Sequence, residues 1–420
     1  MRSTAGVYER PSRRGNCERD RLATRYDEVV TPEFDVVVIG CGPAGNTVAY
    51  RLASAGVRVL MLDKEALPRH KVCGGGLSEK ALREAPFSLS PVLDYRVGAA
   101  LVAYDGAHPV RCERSGIGAM AQRAVLDGFM AQKAVAAGAV LHERESLESF
   151  EPRNGLLEVR TSRGAFTARV LVGADGVYSR VRKQLLPRAT PRLVPAIEAL
   201  LWPAPDMLDL VGDSCIFDLG VIPAGYGWVF PKRDHLNIGL YRFFKRTDNL
   251  DMRGLLEAFV ARYRVLRGYE RIAVKALLVP VAPVARRLAS HGVVLVGDAA
   301  GLADPMFGEG IYSAIRSGNL AADAIVSTLQ GKGALSSYDR RMRGLRFDLA
   351  AARLAAALFY SSPRLGFRFG VRTRLVSKLF MGMISGTVSP ARGLIGTVGL
   401  TPYWLLARPS PAVASPIFDL

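Results

Sequence analysis

Residues 34–63 constrain the fold more than any other stretch of this chain. Phe34–Ile39 reads FDVVVI, a short apolar, β-branched run suited to a strand buried on both faces. Gly40-Cys41-Gly42-Pro43-Ala44-Gly45 follows at once. Residues 46–55 then read as a helix, and residues 57–62 (VRVLML) as a second buried strand ending in Asp63 and Lys64. A lone GxGxxG is no more than a glycine-rich turn. With a strand before it and a helix and strand after it, it predicts a nucleotide-binding unit. Gly40 permits the tight turn, Gly42 lets the backbone approach a pyrophosphate, and Gly45 lets helix and strand pack closely. The helix N-terminus presents free N–H groups and the positive end of its dipole to the phosphates. Asp63, 23 residues beyond Gly40, can accept a hydrogen bond from a ribose hydroxyl. Pro43, Ala44 and Lys64 are taken with these residues as cofactor-contacting positions.

The chain has 420 residues, 49% of them apolar, enough for two or three packed domains and incompatible with a disordered or fibrous protein. Five cysteines without CxxC or His-rich spacing argue against a disulfide scaffold or a zinc site and point to a reducing compartment. No metal site is expected, and Cys17, Cys41, Cys112 and Cys215 receive no role. The net charge of +18 is mostly terminal, with +4 in residues 1–26 and +10 in residues 340–420. Basic ends fit nucleic acid, anionic lipid or a solvated surface. No helix-turn-helix, zinc-finger or RNA-binding signature supports the first, so no nucleic-acid partner is expected. The longest uncharged runs are 15 residues (36–50 and 393–407), below the ~18 of a spanning helix. No apolar core follows the charged start as in a secretory leader. A cytoplasmic protein is expected, with the inner membrane surface as a place it can lie.

Two further stretches match the first unit. Residues 171–178 (LVGADGVY) follow an alternating strand at 166–172. Residues 293–302 (VVLVGDAAGL) run from an apolar strand through Gly297-Asp298 into a small-residue helix start. As a set of three, these motifs resemble those of the hydroxylase-like FAD-dependent flavoproteins over about residues 34–330. The resemblance implies an α/β fold, with a Rossmann-like FAD-binding domain, a mainly antiparallel α+β substrate domain and a C-terminal helical extension. It implies FAD as cofactor, Asp298 on the ribitol, and Asp175-Gly176 shaping the turn near the pyrophosphate. Arg123, in QRAVLD, matches the family's arginine at a helix start near the cofactor. The helix after Asp298 would aim its positive end at the flavin N1/O2 side. Taken singly, Asp298 also reads as a helix N-cap and Arg123 as half of a surface ion pair. No second strand–GxGxxG–helix unit exists, so electrons are expected from transiently docked NAD(P)H or from a protein or quinol donor.

Residues 223–231 read PAGYGWVFP. As a strand of period two, they put Tyr226, Trp228 and Phe230 on one face, with Gly225, Gly227 and Val229 on the other. An aromatic wall backed by glycine suits an elongated apolar cavity; a core strand packed on a helix is the plainer alternative. The pattern P-x-x-Y-x-W-x-F-P resembles the signature of the geranylgeranyl reductase family within this superfamily, without a departure. Cys73-Gly74-Gly75-Gly76-Leu77 is similar to that family's loop after the second strand. Residues 305–311 (PMFGEGI), with Gly308, Gly310 and Ile311, are similar to its flavin-adjacent loop. Flavin halogenases carry W-x-W-x-I-P at the comparable place, a pattern that Tyr226 and Phe230 break. Asp63 stands where a Glu is more common.

The resemblance implies saturation of double bonds in a polyprenyl chain on a lipid, quinone or pigment. An isolated alkene has no carbonyl to polarise it. A proton on one carbon therefore develops positive charge on the other, which aromatic faces stabilise by about 0.5–2 kcal/mol each. Hydride from the reduced flavin completes the reaction. Tyr226 and Trp228 are expected to line the reacting site and Phe230 to contact substrate. Cys73 is the named proton donor and a cofactor contact with Gly74, because glycines let its loop approach the flavin. Tyr226 and an ordered water remain open, and Cys73 also reads as a small buried hydrophobe. Glu309, between two glycines, is left facing solvent.

Beyond Ser336 the chain reads helical. Projecting residues 364–380 at ~100° per residue groups Leu365, Phe369, Val376 and Phe380. Arg364, Arg368, Arg372, Arg374 and Lys378 fall on a neighbouring arc that also holds Phe367, Val371 and Leu375. This segment reads either as an interfacial helix on anionic lipid or as a cap over the substrate cavity. The expected organisation is a basic extension (1–33), a discontinuous FAD-binding domain (34–84, 117–190, 286–335), a substrate domain (85–116, 191–285) and a helical region (336–420). Two rival functions share the fold. One is a flavin monooxygenase acting on an aromatic or polyene substrate, and the other a non-catalytic prenyl carrier.

Overall fold

The computed structural model describes residues 32–243, 250–399 and 412. The arginine-rich start, Cys17 and nearly all of the chain beyond residue 399 lie outside the described residues. Phe34–Ile39 sits at the centre of the first sheet, parallel to Val59–Leu62 on one side and to Gly164–Gly173 on the other. Val36, Val37 and Val38 are fully buried, as a strand covered on both faces requires. Val140–His142 and Val293–Leu295 extend the parallel part outward. The hairpin Leu147–Arg153 and Leu156–Thr161 pairs antiparallel with the start of Gly164–Gly173.

Helix Pro43–Ser54 starts three residues earlier than the periodicity predicts, with proline in its first turn, where a missing N–H costs nothing. It packs between helices Arg123–Ala136 and Ile311–Leu329. Backbone proximity sets this arrangement. Gly40 has φ +100°, and a side chain there would begin 2.5 Å from the Ala174 carbonyl oxygen. One on Gly45 would begin 1.9 Å from the Gly40 oxygen, and one on Gly318 2.9 Å from the Ala44 oxygen.

The second sheet has the order Arg271–Pro280, Leu193–Trp202, Leu236–Arg242, Gly225–Pro231, Ser214–Leu219, Tyr95–Tyr104, Ala107–Met120, Gly76–Ser78. All its pairs are antiparallel except Ser214–Leu219 with Tyr95–Tyr104. Its strand Gly76–Ser78 and the end of Ala107–Met120 come from segments expected with the FAD-binding domain. A register shift between Val97 and Ala99 bends the Tyr95–Tyr104 pairing and carries the strand end across to Gly76–Ser78. One face of the sheet packs on helix Met252–Arg262 through Val229, Ile238, Leu256 and Phe259. The other face carries Tyr226, Trp228 and Tyr241 and meets the C-terminal helices through Ala356, Tyr360 and Met381.

Two expected elements differ. The chain after Asp298 makes only a single 3-10 turn, Gly297–Ala300, closed by the left-handed Gly301. Asp304 then accepts the N–H groups of Met306 and Phe307, holding a loop, and the long helix begins at Ile311. The C-terminal segment is not one amphipathic helix. A widened turn at Gly366–Val371 and a break before Arg374–Ser385 reset its phase. Phe367 and Val371, projected into the basic arc, are buried, whereas Leu365 is 54% exposed. Among the described residues no helix is long and apolar enough to cross a membrane. Gly45→Ala is expected to cost at least about 1–3 kcal/mol, because the new methyl meets main chain that cannot move aside. Urea unfolding of the variant against the parent measures it.

Candidate functional site

A cavity of about 800 Å³ lies between the two sheets and is lined from both. Gly40, Gly42, Pro43, Ala44, Asp63, Lys64, Cys73, Gly74, Arg123, Asp175 and Gly176 all reach it. So do Asp298, Gly308, Gly310, Ile311, Tyr226, Trp228 and Phe230. Of the residues expected at the site, only Gly45 and Gly297 stand behind the wall. Gly45 packs on Gly40, and Gly297 on Ala44 and Ala314.

The glycine-turn end joins an uncapped helix start to a buried carboxylate. Gly42 opens helix Pro43–Ser54 with no side-chain cap, so first-turn N–H groups point into the cavity. Asp63, 4% exposed, accepts the Cys41 N–H at 2.9 Å and the Glu65 N–H at 3.0 Å. Arg69 pairs with Asp63 at 3.1 Å and with the fully buried Asp127 at 3.2 Å. Asp127 in turn takes both prongs of Arg123 at 2.8 Å. Arg123 is thus no surface ion pair but one end of a buried chain from Arg123 through Asp127 and Arg69 to Asp63. Asp175 caps helix Arg180–Leu185 through the N–H groups of Arg180 (2.7 Å) and Val181 (3.1 Å). Burial pushes its carboxyl pKa upward.

At the opposite end Gly310 opens helix Ile311–Leu329, again without a side-chain cap. Asp298 lies beside it, its Oδ1 3.3 Å from where a side chain on Gly310 would begin. The positive helix end expected directly after Asp298 is therefore supplied 13 residues later in the chain, at Ile311. Glu309 does not face solvent. Lys80 Nζ lies 3.1 Å from its carboxylate, and the Ser78 hydroxyl donates to it. Two uncapped helix starts, a buried carboxylate and a glycine cradle fit a dinucleotide in this cavity.

The aromatic strand forms the remaining wall. Tyr226 and Trp228 have ring centroids 6.3 Å apart, and Trp228 and Phe230 6.2 Å. Phe217 and Tyr241 widen the wall from the neighbouring strands. The polar ends of these rings are tied off. Tyr226 Oη donates to the Phe307 carbonyl at 2.5 Å, and Trp228 Nε1 to Asn237 Oδ1 at 2.8 Å. Burial drives the Tyr226 phenol pKa well above its ordinary value. Gly227 backs onto Phe259, as a glycine-backed wall requires. Gly239, which the sequence did not single out, makes room for Trp228: a side chain there would begin 2.3 Å from the indole.

The Cys73 loop closes the wall. Its thiol is free and half-buried, 3.4 Å from the Gly75 N–H and facing Arg123. Asn237 Nδ2 donates to the Cys73 carbonyl at 3.3 Å. Lys232, 1% exposed, donates to the carbonyls of Gly75 (3.2 Å) and Ala121 (3.1 Å). Lys232 directly follows the aromatic motif, which was the only available signal for it. Arg69 and Asn237 carry no motif and were not foreseen; Asp127 ends the QRAVLD stretch, which was read for Arg123 alone. Ile384, from helix Arg374–Ser385, also lines the cavity, so this helix covers it.

The sequence model of the FAD binding domain family matches residues 112–345, and that of the pyridine nucleotide-disulphide oxidoreductases matches residues 34–151. Digeranylgeranylglycerophospholipid reductase 1 of Methanopyrus kandleri is 30% identical over 334 residues, 74% of this chain and 84% of its own. The chloroplastic geranylgeranyl diphosphate reductase of Arabidopsis thaliana is 31% identical over 339 residues, 73% of this chain and 68% of its own. The solved geranylgeranyl bacteriochlorophyll reductase-like protein of Thermoplasma acidophilum superposes with a TM-score of 0.71 at 23% identity, covering 89% of this chain and 98% of that one. That likeness establishes the fold. The cofactor that the cavity is shaped to hold is FAD. Asp63→Ala is expected to weaken FAD binding about ten- to a hundredfold by removing a buried acceptor and leaving Arg69 half-paired. Fluorescence titration of the apoprotein with FAD reads the change.

Proposed function

This chain belongs to the geranylgeranyl reductase family of FAD-dependent oxidoreductases, and from that premise we propose that it saturates double bonds of a polyprenyl chain borne by a lipid, quinone or pigment. One observation carries the reading: the faces of Tyr226, Trp228 and Phe230 line the same cavity as the FAD-binding turns, while the polar ends of Tyr226 and Trp228 are bonded elsewhere. Such a wall offers π faces without competing hydroxyls or N–H groups. FAD, when bound and reduced, supplies the hydride. Its electrons come from NAD(P)H or from a protein or quinol donor.

The residues of the chain have the remaining work. Tyr226 and Trp228 stabilise positive charge developing on the more substituted carbon, by about 0.5–2 kcal/mol each where water is excluded. Phe230 and Phe217 extend the apolar channel for the prenyl tail. Cys73 holds the proton for the other carbon, on a loop that lines the cavity. The Tyr226 proton is committed to the Phe307 carbonyl, which favours Cys73 as the acid. Arg123, Asp63 and the two helix starts bind and orient the cofactor.

The C-terminal helices support placement at a lipid surface. Phe347, Leu354, Leu358, Leu365, Ile395 and Val398 are each more than half exposed. Residues 343–399 carry nine basic groups against the single acidic Asp348. Apolar tips among arginines fit an anionic bilayer interface, where such a substrate resides.

Incubation of the reduced, FAD-loaded protein with a geranylgeranyl-bearing lipid is expected to give products heavier by one pair of hydrogens per bond. Products that gain oxygen, or no product, count against the reading. Cys73→Ala should lower turnover by about a hundredfold or more, and Tyr226→Phe only slightly. Full activity in Cys73→Ala removes the assignment of the donor. On vesicles, the protein should sediment with phosphatidylglycerol at low salt and not with phosphatidylcholine. Absence of binding to either leaves the C-terminal helices as a cavity cover alone.

A further inference from the structure

Lys232 has no part in the reaction as described, yet it is among the most buried large side chains of the molecule. Burying an ammonium is costly unless it is paired or hydrogen-bonded there. Its Nζ bridges the Gly75 and Ala121 carbonyls, tying the Cys73 loop to the entrance of helix Arg123–Ala136. Gly75, in the left-handed region at φ +65°, sits directly over it: a side chain there would begin 2.7 Å from Nζ. The Gly75 N–H in turn reaches Cys73 Sγ. From the other side, Asn237 holds the Cys73 carbonyl and the Trp228 indole N–H together. The loop is thus pinned to the aromatic strand at one point and to Lys232 at the next.

We propose that Lys232 is the positioning residue for Cys73: its ammonium locks the loop through Gly75 and supplies the charge that offsets a thiolate at Cys73. This deepens the reading of Cys73 as the proton donor. When the thiol proton passes to the alkene, a C–H bond forms and sulfur is left with a negative charge. Arg123 faces that charge from the helix, and Lys232 from beneath the loop; the proton is regained from water. Two N–H groups of Arg123 go to Asp127, and its guanidinium also meets Cys73, so part of its charge is already offset. Lys232 is not saturated by a carboxylate at hydrogen-bond distance. Asp94 and Glu198 act on it only through space, and Glu198 in turn faces His70 and Lys275. Burial pushes the Lys232 ammonium down to about 8, against the pull of Cys73, Asp94 and Glu198. It is therefore still mostly charged at neutral pH, and the tie to Gly75 slackens as pH rises past that value.

The test reads Cys73 directly in the FAD-loaded protein, by peptide-resolved mass spectrometry of iodoacetamide alkylation between pH 6 and 9. Lys232→Met is expected to slow alkylation of Cys73 roughly tenfold at pH 7.5 by removing a neighbouring cation. Lys232→Arg should restore most of that rate, because it keeps the charge. FAD content and melting temperature, recorded alongside, separate this effect from unfolding. A folded, flavin-bearing Lys232→Met protein with unchanged Cys73 alkylation overturns the proposal. Should that variant not accumulate, hydrogen exchange of residues 72–77 in the parent protein decides. After correction for intrinsic exchange, protection should fall as pH passes 8, and constant protection overturns the proposal. Neither measurement needs a substrate, so this assignment can fail while Cys73 remains the proton donor. Full turnover in Cys73→Ala would remove the donor and leave the lysine tie intact.

Discussion

The close crossing of helices Pro43–Ser54 and Ile311–Leu329 is the contact on which the rest of this molecule depends. Gly318 lies so near the Ala44 carbonyl that no side chain fits between the two helices. Gly45 does the same between the first helix and its own turn, and Gly40 between that turn and Ala174. These approaches let two helix N-termini, remote in the chain, open into one cavity without capping side chains. Each offers unpaired N–H groups and a positive dipole end. A cofactor that carries both a pyrophosphate and an isoalloxazine would meet favourable charge at each of these groups. Larger side chains at these glycines would separate the helices and dissolve the site before any catalytic residue was touched.

Around that frame the protein manages polarity in opposite ways on the two sides of the cavity. On the cofactor side, charge is concentrated: Asp63, Arg69, Asp127 and Arg123 form a buried chain whose members neutralise one another. On the aromatic side, polar atoms are turned away, with Tyr226 and Trp228 bonded to Phe307 and Asn237. An ion pair broken by removing one partner leaves an uncompensated buried charge, so the first wall tolerates little change. The second wall depends on shape, and Gly239 shows how tightly the Trp228 ring is seated. The Cys73 loop lies where the two walls meet and is held from both.

The C-terminal region shows why periodicity can mislead. A projection at one constant angle assumes one unbroken helix. The widened turn at Gly366–Val371 and the break that follows it change the phase, so Phe367 and Val371 turn inward and Leu365 outward. Proline and glycine placement hinted at breaks but not at a turn of that width. The displaced start of the Ile311 helix has a similar cause. Small residues after Asp298 look helical, but Gly301 and the Asp304 turn divert the chain first.

The nucleotide unit, the three-motif flavoprotein fold and the aromatic face are legible in the chain alone, because each motif that carries them is a short local stretch. Strand alternation, glycine spacing and a carboxylate at a strand end are local signals that tertiary packing rarely reverses. Which groups hold those pieces in place is set by long-range packing. Arg69 meets Asp127 across 58 positions, and Lys232 meets Ala121 across 111 and Gly75 across 157. No periodicity or motif encodes such pairs. They exist because a buried charge must find an opposite charge or a carbonyl within about 3 Å, and the fold alone decides which one is there.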